Sequence, residues 1–61
     1  MIDAYEAINE NPRVFCSYGD TPASALMKMA LLLKKNNIKS FSSANVGYLL
    51  GEDVHYVTIY V

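Results

Sequence analysis

The segment Val54-His55-Tyr56-Val57-Thr58-Ile59-Tyr60-Val61 carries β-branched or aromatic residues at almost every position and runs to the last residue of the chain. Residues of these two kinds are enriched in β-strands, so the segment predicts a strand. Both of its faces are largely apolar, and a chain of 61 residues has little sequence left once its own helix covers one of them. We therefore expect this strand in the middle of an antiparallel sheet, with its second face left for a partner, most simply a second copy.

A hairpin joins this last strand to a strand predicted over residues 41–50. Gly51-Glu52 fits a two-residue type II′ turn, which takes glycine at its first position. The turn sets the register of the two strands, because a slip of one residue would reverse every side chain. The pairs that follow from it are Leu50 with Asp53, Tyr48 with His55, Gly47 with Tyr56, Val46 with Val57 and Ala44 with Ile59. We expect the helix on the face that holds Val57 and Ile59.

The main helix is predicted over residues 21–37. Thr21 or Asp20 is the expected N-cap, and Pro22 occupies the first helical position, where its missing N–H costs nothing. Asn36 and Asn37 indicate the end of the helix, because asparagine tolerates the left-handed conformation. At about 100° per residue, the expected core stripe consists of Leu26, Met29, Ala30 and Leu33, flanked by Ala25 and Leu32, and the expected wet face consists of Ser24, Lys28 and Lys35.

A short helix is predicted at the N-terminus, over residues 2–9. Asp3 and Glu6 match a capping box, and the apolar residues that share one helical face are Ile2, Tyr5 and Ile8. Asn11-Pro12 ends this helix, since the residue before proline disfavours the helical region. A strand over residues 13–18 follows, and we expect it beside the last strand.

The predicted architecture is a single α+β domain over residues 1–61. A short N-terminal helix precedes a β-α-β-β unit, whose three-stranded, mainly antiparallel sheet packs on one main helix. The strand after the main helix has a second option, parallel pairing with the first strand. The apolar character of both faces of residues 54–61 favours the central position for the last strand instead.

The size of the chain favours association. Small domains bury too little surface to be very stable alone, and they usually gain stability from disulfides, a metal or oligomerisation. Cys16 is the only cysteine, so an intrachain disulfide is impossible. One cysteine and the single histidine, His55, do not complete a four-ligand zinc site within one chain. We therefore expect a homodimer or a higher oligomer.

Residues with catalytic potential are few. Cys16 and His55 are the candidates for nucleophilic or acid–base chemistry, but a buried strand cysteine is usually structural. Glu52 and Asp53 are adjacent carboxylates, and their place in a turn favours simple solvation. The serines around residue 42 lack the glycine pattern of a phosphate cradle. The sequence predicts a protein that is not an enzyme and binds no cofactor or metal.

The net charge of −1 does not favour nucleic-acid binding, because such binding depends largely on neutralising phosphates. A modest basic asymmetry is nevertheless present. The residues that would contact nucleic acid are Lys28, Lys34, Lys35 and Lys39.

Aromatic residues are numerous for this length: Tyr18, Tyr48, Tyr56 and Tyr60, together with Phe41. Readers of single-stranded nucleic acid interleave basic residues with such rings, whereas here the tyrosines alternate with valine, threonine and isoleucine. This pattern favours contact with protein. Two apolar helix residues also lie outside the core stripe. The residues expected at a self-association or partner interface are Tyr56, Tyr60, Val54, Met27 and Leu31.

These observations predict a small non-enzymatic protein-interaction module, a homodimer that inhibits or modulates a host protein. The chain begins at Met1, and we expect a complete small reading frame of the kind that phages and other mobile elements use as accessory proteins. The alternative is a small nucleic-acid-binding regulatory protein that uses the helix lysines and the sheet tyrosines. No signal peptide or membrane-length apolar run is evident, so we expect a cytoplasmic protein with no membrane partner.

Overall fold

The computed structural model describes residues 3–61, and the last strand lies at the centre of its sheet. The elements in chain order are β1 (Ala4–Ile8), β2 (Val14–Gly19), α1 (Pro22–Lys35), β3 (Ser43–Leu49) and β4 (Val54–Tyr60). Within residues 3–61 the strands form one antiparallel sheet of four, in the order β1-β2-β4-β3. The α+β class, the main helix and the central position of β4 are confirmed. The prediction of three strands is wrong, because the sheet has four.

The strand that the sequence did not predict is β1. A helix was predicted over residues 2–9, and this prediction is wrong over the part that the structure describes. Ala4–Ile8 pairs with the free edge of β2, and the Tyr18 N–H donates to the Asp3 carbonyl at 2.7 Å. A helix this short is unstable by itself, whereas the edge of β2 supplies backbone hydrogen-bond partners for every second residue of β1. The capping box therefore does not form. Residue 2, where this prediction began, lies outside the described range.

Helix α1 has the predicted N-cap, Thr21, and it ends at Lys35, two residues earlier than predicted. The Thr21 hydroxyl oxygen accepts a hydrogen bond from the Ser24 N–H at 3.0 Å, and Pro22 lies in the first turn. At the other end Asn37 has a φ of 58°, the left-handed conformation. The Ile38 N–H donates to the Leu33 carbonyl and the Asn37 N–H to the Lys34 carbonyl, which together form a Schellman motif. The motif turns Ile38 back onto the core.

The core lies between α1 and the two middle strands. It consists of Phe15, Ala25, Met29, Val57 and Ile59, with Leu32, Leu33, Ile38 and Val61 packed around it. The prediction for the helix face was wrong in part, because Leu26 is half exposed and Ala30 is exposed.

Close contact with β2 explains how the helix is rotated. The buried Ser17 hydroxyl donates to the Ala25 carbonyl at 2.7 Å. Gly19 lies so near the helix that an added Cβ would stand 2.6 Å from the Ala25 nitrogen. These two residues draw Ala25 against the sheet, and Leu26 therefore moves to the flank of the helix.

The β3–β4 hairpin has the predicted register and a different turn. Gly47 pairs with Tyr56 and Val46 with Val57, as expected. Strand β3 ends at Leu49, one residue earlier than predicted, whereas β4 begins at Val54 as predicted. Four residues connect the strands, so the expected pair of Leu50 with Asp53 is not part of the ladder. The Glu52 N–H donates to the Leu49 carbonyl at 3.2 Å, and Asp53 rather than Gly51 takes a positive φ, of 53°. Four-residue connections of this kind preserve the register of a two-residue turn.

Candidate functional site

The sheet face that lies opposite α1 is the candidate site, and we call it the open face. Side chains alternate along each strand, so residues that do not face the helix gather on it. Its aromatic residues are Tyr5, Tyr18, Tyr56 and Tyr60. Between the rings lie valine, cysteine, threonine, serine, asparagine and leucine side chains. Among the described strand positions that alternate onto this face, none is charged.

Tyr5 and Tyr18 form one end of the open face. Their rings stack with centroids 6.3 Å apart and planes inclined by 26°, and their hydroxyl oxygens are 3.4 Å apart. The hydrogen bond with Tyr5, together with burial, raises the pKa of Tyr18 to about 12. The phenol of Tyr18 is therefore neutral at physiological pH, and the two stacked rings present an aromatic surface at this end of the open face.

Tyr56 lies across the neighbouring strand. A Cβ added to Gly47 would stand 2.6 Å from Cε2 of Tyr56, so the ring occupies the space that a side chain at position 47 would take. An aromatic ring that covers a strand glycine in this way also fixes the register of the hairpin. The ring of Tyr56 therefore packs over the backbone of β3 at Gly47.

Cys16 and Thr58 occupy the middle of the open face. The Cys16 Sγ is 3.8 Å from the Thr58 Oγ1, and both side chains are half-buried. His55 instead lies on the helix side of the sheet, where its ring is tilted against that of Tyr48 with centroids 4.8 Å apart. Cys16 and His55 thus point to opposite sides of the sheet and do not form a dyad.

The residues predicted for an interface divide between two surfaces. Tyr56, Tyr60 and Val54 lie on the open face, half-buried among their neighbours. Met27 and Leu31 lie on α1, 66% and 64% exposed, on the other side of the molecule. Sequence reasoning missed Tyr5, because a helix was predicted there. The signal that could have placed Tyr5 on this face is the unpaired edge of the predicted strand over residues 13–18, which needs backbone hydrogen-bond partners.

The predicted lysines lie away from the tyrosines of the open face. Lys28, Lys34 and Lys35 belong to α1, which packs on the opposite side of the sheet, and Lys39 follows in the connection to β3. Lys28 forms an ion pair with Asp3, with Nζ 3.1 Å from the carboxylate oxygen.

Two other features lie on the helix side of the sheet, a mainly apolar depression and a hydrogen bond between Tyr48 and Asp53. A shallow depression of about 340 Å³ between α1 and β1 is lined by Asp3, Ala4, Lys28, Leu31, Leu32 and Lys35. The Tyr48 hydroxyl donates to the Asp53 carboxylate, and this hydrogen bond raises the pKa of Tyr48. Across residues 3–61, no three histidine, cysteine, aspartate or glutamate residues gather closely enough to hold a metal ion.

No helix within the described part of the chain is both long and apolar enough to cross a membrane. Comparison with known proteins gives no relative: no protein-family model matches the chain, and neither a curated protein nor a solved structure is significantly similar to it.

Proposed function

We propose that this chain is a non-enzymatic protein-interaction module, which self-associates and whose open face binds and modulates another protein. The observation that supports this most is the uncharged open face with its tyrosines. Tyrosine supplies a large contact area and a hydroxyl for hydrogen bonds at the rim, and it is enriched in protein interfaces. Charged residues are depleted at the centre of such interfaces, as they are here.

The order of the rings strengthens this proposal. Tyr5 is stacked on Tyr18, and Tyr56 is held over Gly47, so these rings have little freedom left to lose when a partner binds. Immobilising a flexible side chain at an interface costs about 0.5–1.5 kcal/mol, and a ring that is already held avoids much of that cost. The open face therefore resembles a pre-organised contact surface.

Nucleic-acid binding is the alternative, and it has less support. Proteins that bind single strands combine aromatic platforms with a basic groove along the same surface. Here the lysines of α1 and the tyrosines of the open face lie on opposite sides of the sheet, and the net charge is −1. A basic cluster at the end of α1, formed by Lys34 and Lys35, is the feature that keeps this alternative open to test.

Capture from lysate of the native host cell tests the proposal. The bait is the wild-type chain, a double variant Tyr18→Ser with Tyr60→Ser, and a control double variant Met27→Ser with Leu31→Ser. The control removes two exposed apolar side chains from the opposite side of the molecule. We expect a protein that the wild type and the control both retain and that the tyrosine variant loses.

Retention by all three baits, or loss with the helix control alone, would contradict the role of the open face. A salt series with fluorescent oligonucleotides tests the alternative in parallel. Binding whose affinity falls steeply with salt, and falls further with Lys34→Ala and Lys35→Ala, would favour the nucleic-acid function.

A further inference from the structure

The two edges of the sheet are built differently. The edge strand β1 is interrupted by a register shift between Glu6 and Ile8, and Glu6 forms an ion pair with Arg13. Bulges and charges of this kind protect an edge from pairing with another chain. The edge strand β3, Ser43–Leu49, pairs regularly with β4 and contains neither a charged residue nor a proline. Of the two edges, only β3 lacks these protections.

The backbone groups that β3 directs outward can be identified. The Val61 N–H donates to the Arg13 carbonyl at 2.9 Å, which shows that the backbone of Val61 and of alternate residues before it points toward β2. The remaining residues of β4 point toward β3 and pair with Ser43, Asn45, Gly47 and Leu49. The residues between those four therefore direct their N–H and C=O groups away from the sheet. They are Ala44, Val46 and Tyr48.

The side chains of Ala44, Val46 and Tyr48 are also exposed to solvent. They lie on the helix side of the sheet, opposite Ile59, Val57 and His55. Helix α1 packs over β2, β4 and β1, and it leaves the described part of β3 largely uncovered. Val46 is consequently 59% exposed and Tyr48 is 42% exposed. Strand β3 therefore exposes both apolar side chains and backbone N–H and C=O groups that have no partner within the sheet.

We propose that β3 pairs antiparallel with β3 of a second copy, about a two-fold axis at Val46. This inference names the surface used by the self-association proposed above, and it rests on that proposal. Val46 is the midpoint of Ser43–Leu49, so this register overlaps the whole strand. Each outward N–H then meets an outward carbonyl, because Val46 faces its own counterpart and Ala44 faces Tyr48 of the second copy.

The side chains fit this register. The ring of Tyr48 lies opposite the small Ala44 of the second copy, and Val46 packs against Val46 of the second copy. On the open face, Asn45 lies opposite Gly47. No charge meets a like charge anywhere along the strand, so a second copy is a better occupant than a charged peptide. The same symmetry places both open faces on one side of a continuous sheet and both helices on the other.

Two charge variants at the axis test the proposal by sedimentation equilibrium at micromolar concentration. Val46→Lys and Val46→Glu each place a like charge against its own copy, and we expect the dissociation constant of the dimer to rise on the order of 100-fold. An equal mixture of the two should recover the dimer, because opposite charges then meet. The control is Leu50→Lys, which lies beyond the strand end at an 85% exposed position and should remain dimeric.

Circular dichroism confirms that each variant is folded before it is compared. A wild type that sediments as a monomer would overturn both the self-association and this edge. A dimer that persists in both Val46 variants, or a mixture that stays monomeric, would overturn the β3 edge. Neither of these results changes the capture experiment with the open-face variants, so failure of the edge and failure of partner binding are distinguished.

Discussion

At the scale of single residues, two glycines of the β3–β4 hairpin have opposite surroundings. A Cβ on Gly47 would collide with the ring of Tyr56, whereas a Cβ on Gly51 would meet nothing within 4 Å. We predict that Gly47→Ala lowers the free energy of unfolding by about 1 kcal/mol, since the ring of Tyr56 has to move away. Gly51→Ala should change it by less than about 0.5 kcal/mol. Urea unfolding of both variants measures the difference, and equal effects would contradict the placement of Tyr56.

The ion pair between Glu6 and Arg13 gives the fold a pH dependence. The Glu6 carboxylate accepts two hydrogen bonds from the guanidinium, at 2.6 and 3.0 Å, and these lower its pKa from the ordinary value of 4.5. A carboxyl whose pKa is lowered by folding stabilises the protein above its unfolded pKa, and this stabilisation is lost as the pH falls through the lowered value.

We therefore predict that Glu6→Gln lowers the melting temperature at pH 7, and that the difference between wild type and variant shrinks at acidic pH, as the carboxyl becomes protonated. The control is Glu10→Gln, which alters an exposed carboxylate in the connection after β1. Thermal unfolding followed by circular dichroism at neutral and at acidic pH measures the effect. A difference that persists unchanged at low pH would show that Glu6 acts through something other than its charge.

At the scale of elements, the end of α1 depends on one left-handed residue. Asn37 has a φ of 58° and closes the Schellman motif that returns Ile38 to the core. We predict that Asn37→Ala costs about 1 kcal/mol of stability, because a Cβ-bearing residue without a polar side chain disfavours this conformation. Asn37→Gly should be neutral or slightly stabilising. Chemical unfolding of the pair measures this contrast, and equal losses in both variants would indicate that the asparagine side chain itself is needed.

How far the sequence predicts each element depends on how local its signal is. The hairpin register was derived from a turn at Gly51-Glu52 and agreed with the alternation in β3 and β4, and it holds because the longer connection keeps the same pairing. The helix ends were indicated by Thr21, Pro22 and Asn37, because these signals act within a few residues. The strand β1 could not be predicted, since Ala4–Ile8 has spacing that fits either a helix or a strand. Its structure is decided by the free edge of β2, which is a tertiary effect.

The rotation of α1 was missed for a similar reason. Periodicity placed Leu26 and Ala30 in the core, but it contains no information about how closely a helix approaches the sheet. The approach is set by Gly19 and by the hydrogen bond from Ser17 to Ala25, both contacts between distant elements. The open face was predicted as a set of tyrosines on β4, and it gained Tyr5 only through the pairing of β1.

At the scale of the whole molecule, the two faces of the sheet have different roles. Ile59 is only 4% exposed beneath the helix, so Ile59→Asp buries a carboxylate with no partner. A domain of this size has only about 3–5 kcal/mol of stability to lose, and we predict that this variant does not fold. Tyr60→Ser, on the open face, should keep the helix signal and cooperative unfolding. If circular dichroism showed a folded Ile59→Asp or an unfolded Tyr60→Ser, the assignment of the faces would be wrong.

Pairing through β3 would extend this division of roles to the dimer. The helices and the core would lie on one side of the continuous sheet, and two open faces would lie together on the other. A partner with two matching sites, or with one large apolar surface, would then be bound by both copies at once. Such bivalent contact raises the strength of binding without any new kind of contact.

The central claim is that the open face contacts a protein partner, and site-specific photo-crosslinking in the cell that naturally produces the chain tests it most directly. A benzophenone amino acid is placed at position 60, on the open face, and separately at position 27, on the exposed side of α1. We predict a cross-link to one distinct protein of the cell from position 60 and none from position 27. A cross-link from position 27 alone, or one from position 60 to nucleic acid or only to a second copy of the chain, would contradict the account.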